Sequence, residues 1–173
     1  MKALDTFFAL PQTTLFKGSI SLSYVFCFFL CTNVFGAVIQ IYDIQELQKI
    51  GNDPAYQLSG EYELIGDIDA SDTVNWNDGA GFLPVGTITN PFIGKFDGKG
   101  HKITNLFLSS GFYTGLFRYI SSAGEVKDLG IEKCWIESGN DFVGGLAGIN
   151  EGIISGCYTT GSILGSSHVG GLV

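Results

Sequence analysis

A repeated glycine–leucine pattern constrains the fold of this chain more than any other feature of its sequence. The segments "YTGLF", "FVGGLAG" and "HVGGLV" align on Leu116, Leu146 and Leu172, which are spaced by 30 and then 26 residues. A unit of this size cannot bury its own apolar face, but it can do so when it stacks on a neighbour of the same shape. The spacing therefore predicts a stack of similar units.

The segments between these motifs also match. "EVKDLGIEKCWIESG" aligns with "GIISGCYTTGSILG", with small gaps at the turns. Because Cys157 stands where the preceding unit has Leu129, we expect its thiol to point inward. The aligned pairs are Val126 with Ile154, Leu129 with Cys157, Ile131 with Thr159, and Ile136 with Ile163.

The periodicity between the glycines indicates short strands and little helix. Segments such as "FIGKF" and "HKITNLFL" alternate apolar and polar residues, and none of the repeats has a helical period. Short strands joined by glycine-rich corners predict an all-β fold, a β-solenoid. One short helix is expected at Ile44–Ile50, where Asp43 and Glu46 form a capping box. After it, Tyr62, Leu64 and Ile68 are spaced as strand positions, and "SDTVNWNDGAG" is predicted to be a loop.

The N-terminal region resembles an export signal. Residues 18–42 carry no charge, Lys17 precedes them, and Val34-Phe35-Gly36 suits cleavage after Gly36. Two alternatives are an uncleaved anchor helix and a lipoprotein with Cys31 as its lipid site, although Phe29 and Leu30 are bulky for the latter. The predicted organisation is a signal peptide or anchor at 1–36, a helix and cap at 37–56, and a glycine-rich solenoid at 57–173.

The lysine- and glycine-rich stretch "FIGKFDGKGHKITNLFL" is predicted to be a turn between strands. A phosphate loop starting at Gly94 would need glycine where Lys99 stands, and a dinucleotide fingerprint starting at Gly98 would need glycine where Ile103 stands. Asp97-Gly98 is instead a strong turn dipeptide. The expected inward residues are Phe96, Ile103 and Leu106, and the expected solvated residues are Lys95, Lys99 and Lys102.

The remaining polar residues favour turns over chemistry. An EF-hand starting at Asp67 would need glycine where Asp72 stands and glutamate where Asp78 stands. The zinc-peptidase motif HExxH is absent from the sequence. Of the two histidines, His168 occupies the place of Phe142 in the repeat, which indicates a structural position, and His101 is expected to be exposed. Cys134 and Cys157 are interpreted as small buried residues and not as a disulfide or metal site. Asp69 and Asn75 in the same stretch also offer oxygen ligands of the type that calcium prefers. The acids of the repeats form no recurring cluster; they are Glu125, Asp128, Glu132, Glu137, Asp141 and Glu151.

The segment "GGLAG" at Gly144–Gly148, together with "YELIGDIDAS", "GFLPVG" and the lysine-rich turn, resembles the GLUG-repeat family of bacterial surface proteins. These include filamentous-haemagglutinin-like adhesins and the N-terminal regions of surface peptidases. The resemblance covers residues 41–173 and implies a right-handed parallel β-helix on a secreted or surface-displayed protein. The sequence ends in mid-motif at "HVGGLV", which departs from the family pattern and predicts a fragment or truncated product.

Taken with the composition, these features predict a binding or structural module and not an enzyme. With a net charge of -8 and 15% charged residues, the chain lacks the basic surface that nucleic-acid binding requires. The expected function is a non-catalytic exported module with an adhesive or architectural role, without catalytic, cofactor or metal residues. The alternative is a non-catalytic N-terminal portion of a surface peptidase or other hydrolase. The expected partners are a host or cell-surface protein or glycan, a membrane only through the leader, and other copies of the chain.

Overall fold

Parallel β-strands dominate the chain. The computed structural model describes residues 36–109 and 111–173, so the predicted signal or anchor, with Cys27 and Cys31, lies outside the described residues apart from Gly36. The strands are β1 Ile39–Ile41, β2 Glu61–Leu64, β3 Ile68–Asp69, β4 Lys95–Asp97, β5 Lys102–Thr104, β6 Phe107–Ser109, β7 Phe117–Ile120, β8 Glu125–Lys127, β9 Gly130–Glu137, β10 Ala147–Asn150, β11 Ile153–Ser155 and β12 Tyr158–Leu164.

The strands form three sheets in which every paired strand is parallel to its neighbour. The first sheet has the order β1-β2-β4-β8-β11, and the second has the order β12-β9-β5-β3, with β6 also paired to β9. The third sheet contains β7 and β10. The expectation of an all-β fold with parallel strands and little helix is therefore confirmed.

One α-helix, α1, spans Ile44–Lys49. The Asp43 side chain accepts a hydrogen bond from the Glu46 N–H at 2.8 Å, as the capping sequence predicted. The Glu46 carboxylate bonds the N–H of Tyr42 instead of the cap residue. Within the described residues, no helix is long and apolar enough to cross a bilayer.

The segment that was predicted to be a loop contains two short 3₁₀ turns, Ser71–Asn75 and Asn77–Gly79. The buried hydroxyl of Thr73 donates a 2.6 Å hydrogen bond to the carbonyl of Ala70, and its oxygen accepts one from the N–H of Phe107. One local bond and one bond to β6 thus give the segment order that its Asp, Asn and Gly content did not indicate.

The register of the sheets confirms the sequence repeat residue by residue. Val126 pairs with Ile154, Ile131 with Thr159, and Ile136 with Ile163. The motif leucines also stack in order. Phe117, which follows Leu116, pairs with Ala147, which follows Leu146. The N–H of Leu146 in turn donates a hydrogen bond to the carbonyl of Leu172. Equivalent residues of successive units therefore form continuous rows.

The rows that face inward form the core. In the first sheet one row contains Ile39, Tyr62, Phe96, Val126 and Ile154. Phe96, Ile103 and Leu106 are buried, as expected from the lysine-rich stretch. Aromatic rings fill the N-terminal part of this core, where the centroids of Phe92 and Phe117 lie 4.9 Å apart.

We predict that Leu146→Ala lowers the free energy of unfolding by about 2–5 kcal/mol, because Leu146 is fully buried and its loss leaves a cavity. The matched control is Leu164→Ala, whose leucine is 53% exposed and should cost within about 0.5 kcal/mol. Urea denaturation measures both values. Equal, small losses at the two positions would show that Leu146 is not a core residue.

Candidate functional site

Charged side chains form two rows on the outward face of the first sheet. One row places Glu61, Lys95 and Glu125 side by side on β2, β4 and β8. The other places Glu63, Asp97 and Lys127 on the same three strands. We call these six residues, together with Lys99, the charged face.

Ion pairs connect the strands across the charged face. Lys95 Nζ lies 3.2 Å from Glu61 Oε1, and Lys127 Nζ lies 3.1 Å from Asp97 Oδ2. Opposite charges directly across a strand pair stabilise a sheet. Lys95 and Glu61 are 61% and 45% exposed, so their pair is weak and easily screened by salt, whereas Asp97 is only 18% exposed and its pair with Lys127 is better shielded.

The lysine-rich turn brings Lys99 back over this face. The Asp97 carboxylate accepts the Lys99 N–H at 2.8 Å, and the Lys99 backbone adopts a φ of 53°. Its ammonium group lies 3.2 Å from Glu63 Oε2 and 3.2 Å from Asp97 Oδ2. Gly98 is required here because a Cβ would come within 2.3 Å of the carbonyl oxygen of Asp128. The stretch is thus a turn, as predicted, and Lys99 is paired with two carboxylates instead of being simply solvated.

The pKa values on this face favour ionised carboxylates. Burial by itself raises the pKa of Asp97, but hydrogen bonds from Lys99 and Lys127 outweigh it and bring the pKa below its usual value. Hydrogen bonds from Gln40 and Lys99 lower the pKa of Glu63. The same contacts with Glu63 and Asp97 raise the pKa of Lys99. A general acid needs the opposite shift in a carboxyl pKa, so these acids are suited to electrostatic contacts.

The charged face lines a shallow surface cavity of ≈ 310 Å³. Val38 also lines it, together with Tyr62 and Phe96, whose side chains are buried in the core on the other side of the sheet. An open cavity lined by side chains of both charges can accept hydrogen bonds and donate them. It therefore suits a polar ligand such as a glycan or an extended peptide better than a small apolar molecule.

A second polar cluster lies on the outward side of the second sheet. The Tyr158 hydroxyl donates to Glu132 Oε1 at 2.8 Å, and Lys102 Nζ lies 3.1 Å from Glu132 Oε2. The hydrogen bonds from Tyr158 and Lys102 lower the pKa of Glu132. The hydrogen bond to Glu132 raises the pKa of Tyr158. Both shifts stabilise the protonation states that these groups ordinarily have near neutral pH.

Two of the aspartates considered as calcium ligands, Asp67 and Asp69, accept hydrogen bonds from neighbouring backbone and side-chain groups. Asp69 accepts hydrogen bonds from the Ser71 N–H, the Ser71 hydroxyl and the Asn105 amide. Asp67 Oδ1 lies 3.2 Å from His101 Nδ1. The His101 side chain is half-buried, whereas the sequence predicted an exposed one. In the part of the chain that the structure describes, no three or more His, Cys, Asp or Glu side chains converge to hold a metal ion.

The histidine and cysteines of the repeats occupy packing positions. His168 stacks on Phe142 with centroids 4.5 Å apart, and Phe142 stacks on Tyr113 at 5.2 Å. This row confirms that His168 takes the place of Phe142 in the repeat. Cys134 is buried, Cys157 is half-buried against the core, and both thiols are free. Burial raises the pKa of both thiols, which makes them less reactive.

The charged face was not anticipated from the sequence, although a signal for it exists. The tripeptides at 61–63, 95–97 and 125–127 read EYE, KFD and EVK, each with an apolar residue between two charged ones. Aligning them places opposite charges next to each other throughout the first row, whereas in the second row Glu63 and Asp97 are both acidic and only Asp97 and Lys127 are opposite. The glycine–leucine motifs alone do not reveal this alignment, because the three tripeptides lie outside them.

Comparison with known proteins gives two similarities. No family model matches the chain. Over 141 residues, or 78% of the chain, it is 38% identical to Halomucin of Haloquadratum walsbyi, and it spans only 2% of the length of that relative. Its fold is similar to the crystal structure of a candidate immunoglobulin A1 protease from Bacteroides ovatus. That match has a TM-score of 0.54 and 21% identity, and it covers 72% of this chain and 38% of the other.

We predict that the Asp97–Lys127 pair loses its contribution to stability at low pH. Because the folded pKa of Asp97 is lowered, its stabilising effect is complete above the unfolded value of about 4 and is lost as the pH falls through the folded value. A double-mutant cycle with Asp97→Asn and Lys127→Gln, measured by urea denaturation from pH 7 down to about 2.5, should show a coupling that falls towards zero. A coupling that does not change with pH would contradict the ionised pair.

Proposed function

We propose that this chain is a non-catalytic module of an exported surface protein, with an adhesive or architectural role. In this proposal the parallel sheets form a right-handed β-helix built from GLUG-like repeats, and the charged face presents the ligand-binding surface. The observation that carries the proposal is that the residues that recur in the repeat serve packing, whereas the charged residues lie on the outward face. Its recurring glycines, leucines and aromatic residues pack into turns and rows, while outward-facing charged side chains form ion pairs such as Lys95–Glu61 and Lys127–Asp97.

Three further observations support an exported, non-enzymatic role. The identity to a segment of Halomucin, a much longer protein, suits a module within a large surface protein. The uncharged stretch at 18–42 suits an export signal. The carboxylates with clearly shifted pKa values are held in the ionised state by Lys, Gln, Asn, Ser or Tyr partners, so they support contacts more readily than acid–base catalysis.

A second candidate function is a non-catalytic portion of a larger surface peptidase or other hydrolase. The solved structure of similar fold is described as a candidate immunoglobulin A1 protease, and the match spans 38% of that chain. At 21% identity this likeness concerns the fold alone, so it supports a shared scaffold. In this alternative the charged face would position a neighbouring catalytic region or its substrate.

The adhesive proposal predicts binding through the charged face. We expect the full chain to bind ligands on a glycan microarray or on immobilised extracellular proteins. Reversal of two lysines, in the variant Lys95→Glu with Lys127→Glu, should weaken that binding at least about tenfold, because it replaces two favourable contacts with repulsive ones.

The matched control is the pair Lys49→Glu with Lys133→Glu, which makes the same charge change at lysines outside the charged face. This variant should keep the binding. Loss of binding to the same extent in both variants would show a general effect of net charge. If the full chain bound neither the glycan microarray nor the immobilised extracellular proteins, the adhesive role would be contradicted. The peptidase-associated alternative would then remain.

The export proposal predicts a mature protein that begins at Ala37. Cell fractionation should place the chain outside the cytoplasm, and N-terminal sequencing of that fraction should give Ala-Val-Ile-Gln. Replacing Gly36 with a bulky residue, as in Gly36→Trp, should block this processing. Recovery of the full-length chain from the cytoplasm would contradict export.

A further inference from the structure

Arg118 is the only arginine of the chain, and it is the one half-buried cation that forms no ion pair within the described residues. Its Nη1 donates a 2.6 Å hydrogen bond to the carbonyl of Phe112. Because a guanidinium has five N–H donors in a planar fork, further donors remain available. Lys49 and Lys133 also lack an ion pair, but both are exposed to water. A half-buried guanidinium with open donors favours an anionic partner.

Glycines beside Arg118 explain why no carboxylate of the described chain meets it. Arg118 lies on β7, and its backbone N–H bonds the carbonyl of Val85. The residue after Val85 is Gly86, whose φ is 80°. On the other side, the neighbouring residue on β10 is Gly148, where a Cβ would come within 2.5 Å of the backbone of Tyr113. Neither flanking position therefore places a side chain across from the guanidinium.

Arg118 lines an open cavity of ≈ 500 Å³, a volume that suits a small ligand or the end of a larger one. It is the only charged residue among the described residues that line this cavity. Burial lowers the pKa of Arg118, and no carboxylate offsets that effect, yet a guanidinium stays protonated at neutral pH. The walls are largely aliphatic and include Leu58, Leu83, Pro84 and Ile88. We call this site the Arg118 cavity.

We propose that the Arg118 cavity binds a peptide carboxylate that lies next to an aliphatic side chain. The planar fork of arginine matches the two oxygens of a carboxylate, so the ligand supplies the charged partner that the chain does not. The aliphatic walls cover the neighbouring side chain of the ligand. The carboxylate belongs either to the C-terminus of the peptide or to an aspartate or glutamate within it. This inference does not rest on the charged face, which lies on a different sheet.

An acidic sugar suits the Arg118 cavity less well than a peptide. Sugar hydroxyls need many hydrogen-bonding partners, but the polar groups of this cavity are largely paired already. Thr87 and Asn90 exchange hydrogen bonds of 2.9 Å across their turn, and the Asn52 side chain donates to the carbonyl of Gln48 at 2.7 Å. No aromatic ring is among the described residues that line the cavity, so a sugar ring has no surface on which to stack.

Isothermal titration calorimetry of the full chain with short peptides tests the proposal. Acetyl-Val-Leu with a free C-terminal carboxylate should bind at least about tenfold more tightly than the corresponding amide, because the amide cannot form the charge-assisted pair. Acetyl-Val-Glu-Leu-amide and its glutamine counterpart make the same comparison for an internal carboxylate. The two pairs of peptides identify which kind of carboxylate the cavity prefers. Methyl glucuronide tests the acidic sugar.

Arg118→Met removes the charge and keeps an apolar side chain at the position. It should weaken binding of the preferred carboxylate peptide at least about tenfold and abolish the preference over the neutral peptide. The matched control is Lys133→Met, which makes the same charge change at an exposed lysine outside the cavity. This control should bind as the parent chain does.

A second variant keeps the test decisive if Arg118→Met fails to fold. Ile88 is 43% exposed on the wall of the cavity, so Ile88→Asp disturbs no core contact. Its new carboxylate repels the ligand and competes for the guanidinium, so binding should again fall at least about tenfold. The matched control is Ile153→Asp, because Ile153 is 59% exposed and lies on β11 of the first sheet. Circular dichroism and a thermal melt establish which variants are folded.

A preference for the carboxylate peptide that is lost in Arg118→Met and Ile88→Asp, and kept in both controls, supports the proposal. It is overturned if neither carboxylate peptide binds, or if the acid and neutral peptides bind equally. Tighter binding of methyl glucuronide than of either peptide would assign the cavity to acidic sugars and also overturn it. If Arg118→Met does not fold, unchanged binding in Ile88→Asp overturns it.

Discussion

The in-register parallel pairing of equivalent residues is the constraint on which the rest of this structure depends. No single unit of the repeat can cover its own apolar side chains, so each is stabilised by the layers on either side. Pairing of Phe96 with Val126 in the core fixes, in the same step, the pairing of Lys95 with Glu125 on the surface. The same strand register therefore sets both the core and the charged face. A slip of one strand by one residue would turn its core side chains outward and its charged side chains inward.

This coupling explains why most polar residues of the chain serve the fold. Asp97 terminates a strand, bonds the turn that follows it and carries two ion pairs. His168 extends a row of stacked rings, and Asp69 holds the backbone of the next turn. The adhesive or architectural role that we propose needs a regularly spaced surface more than a reactive group, and rows of paired side chains suit that role.

The sequence predicted the fold where local rules and the repeat agreed. The capping residues located α1, the turn dipeptide located the bend at Asp97-Gly98, and the aligned units gave the pairing of Val126 with Ile154. The prediction was less complete at 71–79, where buried hydrogen bonds of Thr73 order a segment that composition assigned to a loop. The charged face was missed because its partners lie 34 and then 30 residues apart, so no fixed period aligns them.

The sequence by itself determined which residues could point inward, because alternation and repeated apolar positions follow from the chemistry of single segments. It also determined that the turns need glycine and that a capped helix precedes the repeats. Only the tertiary structure decided which charges meet and that Lys99 bridges Glu63 and Asp97. The physical reason is that these contacts join residues of different layers, and loops of unequal length set their relative positions.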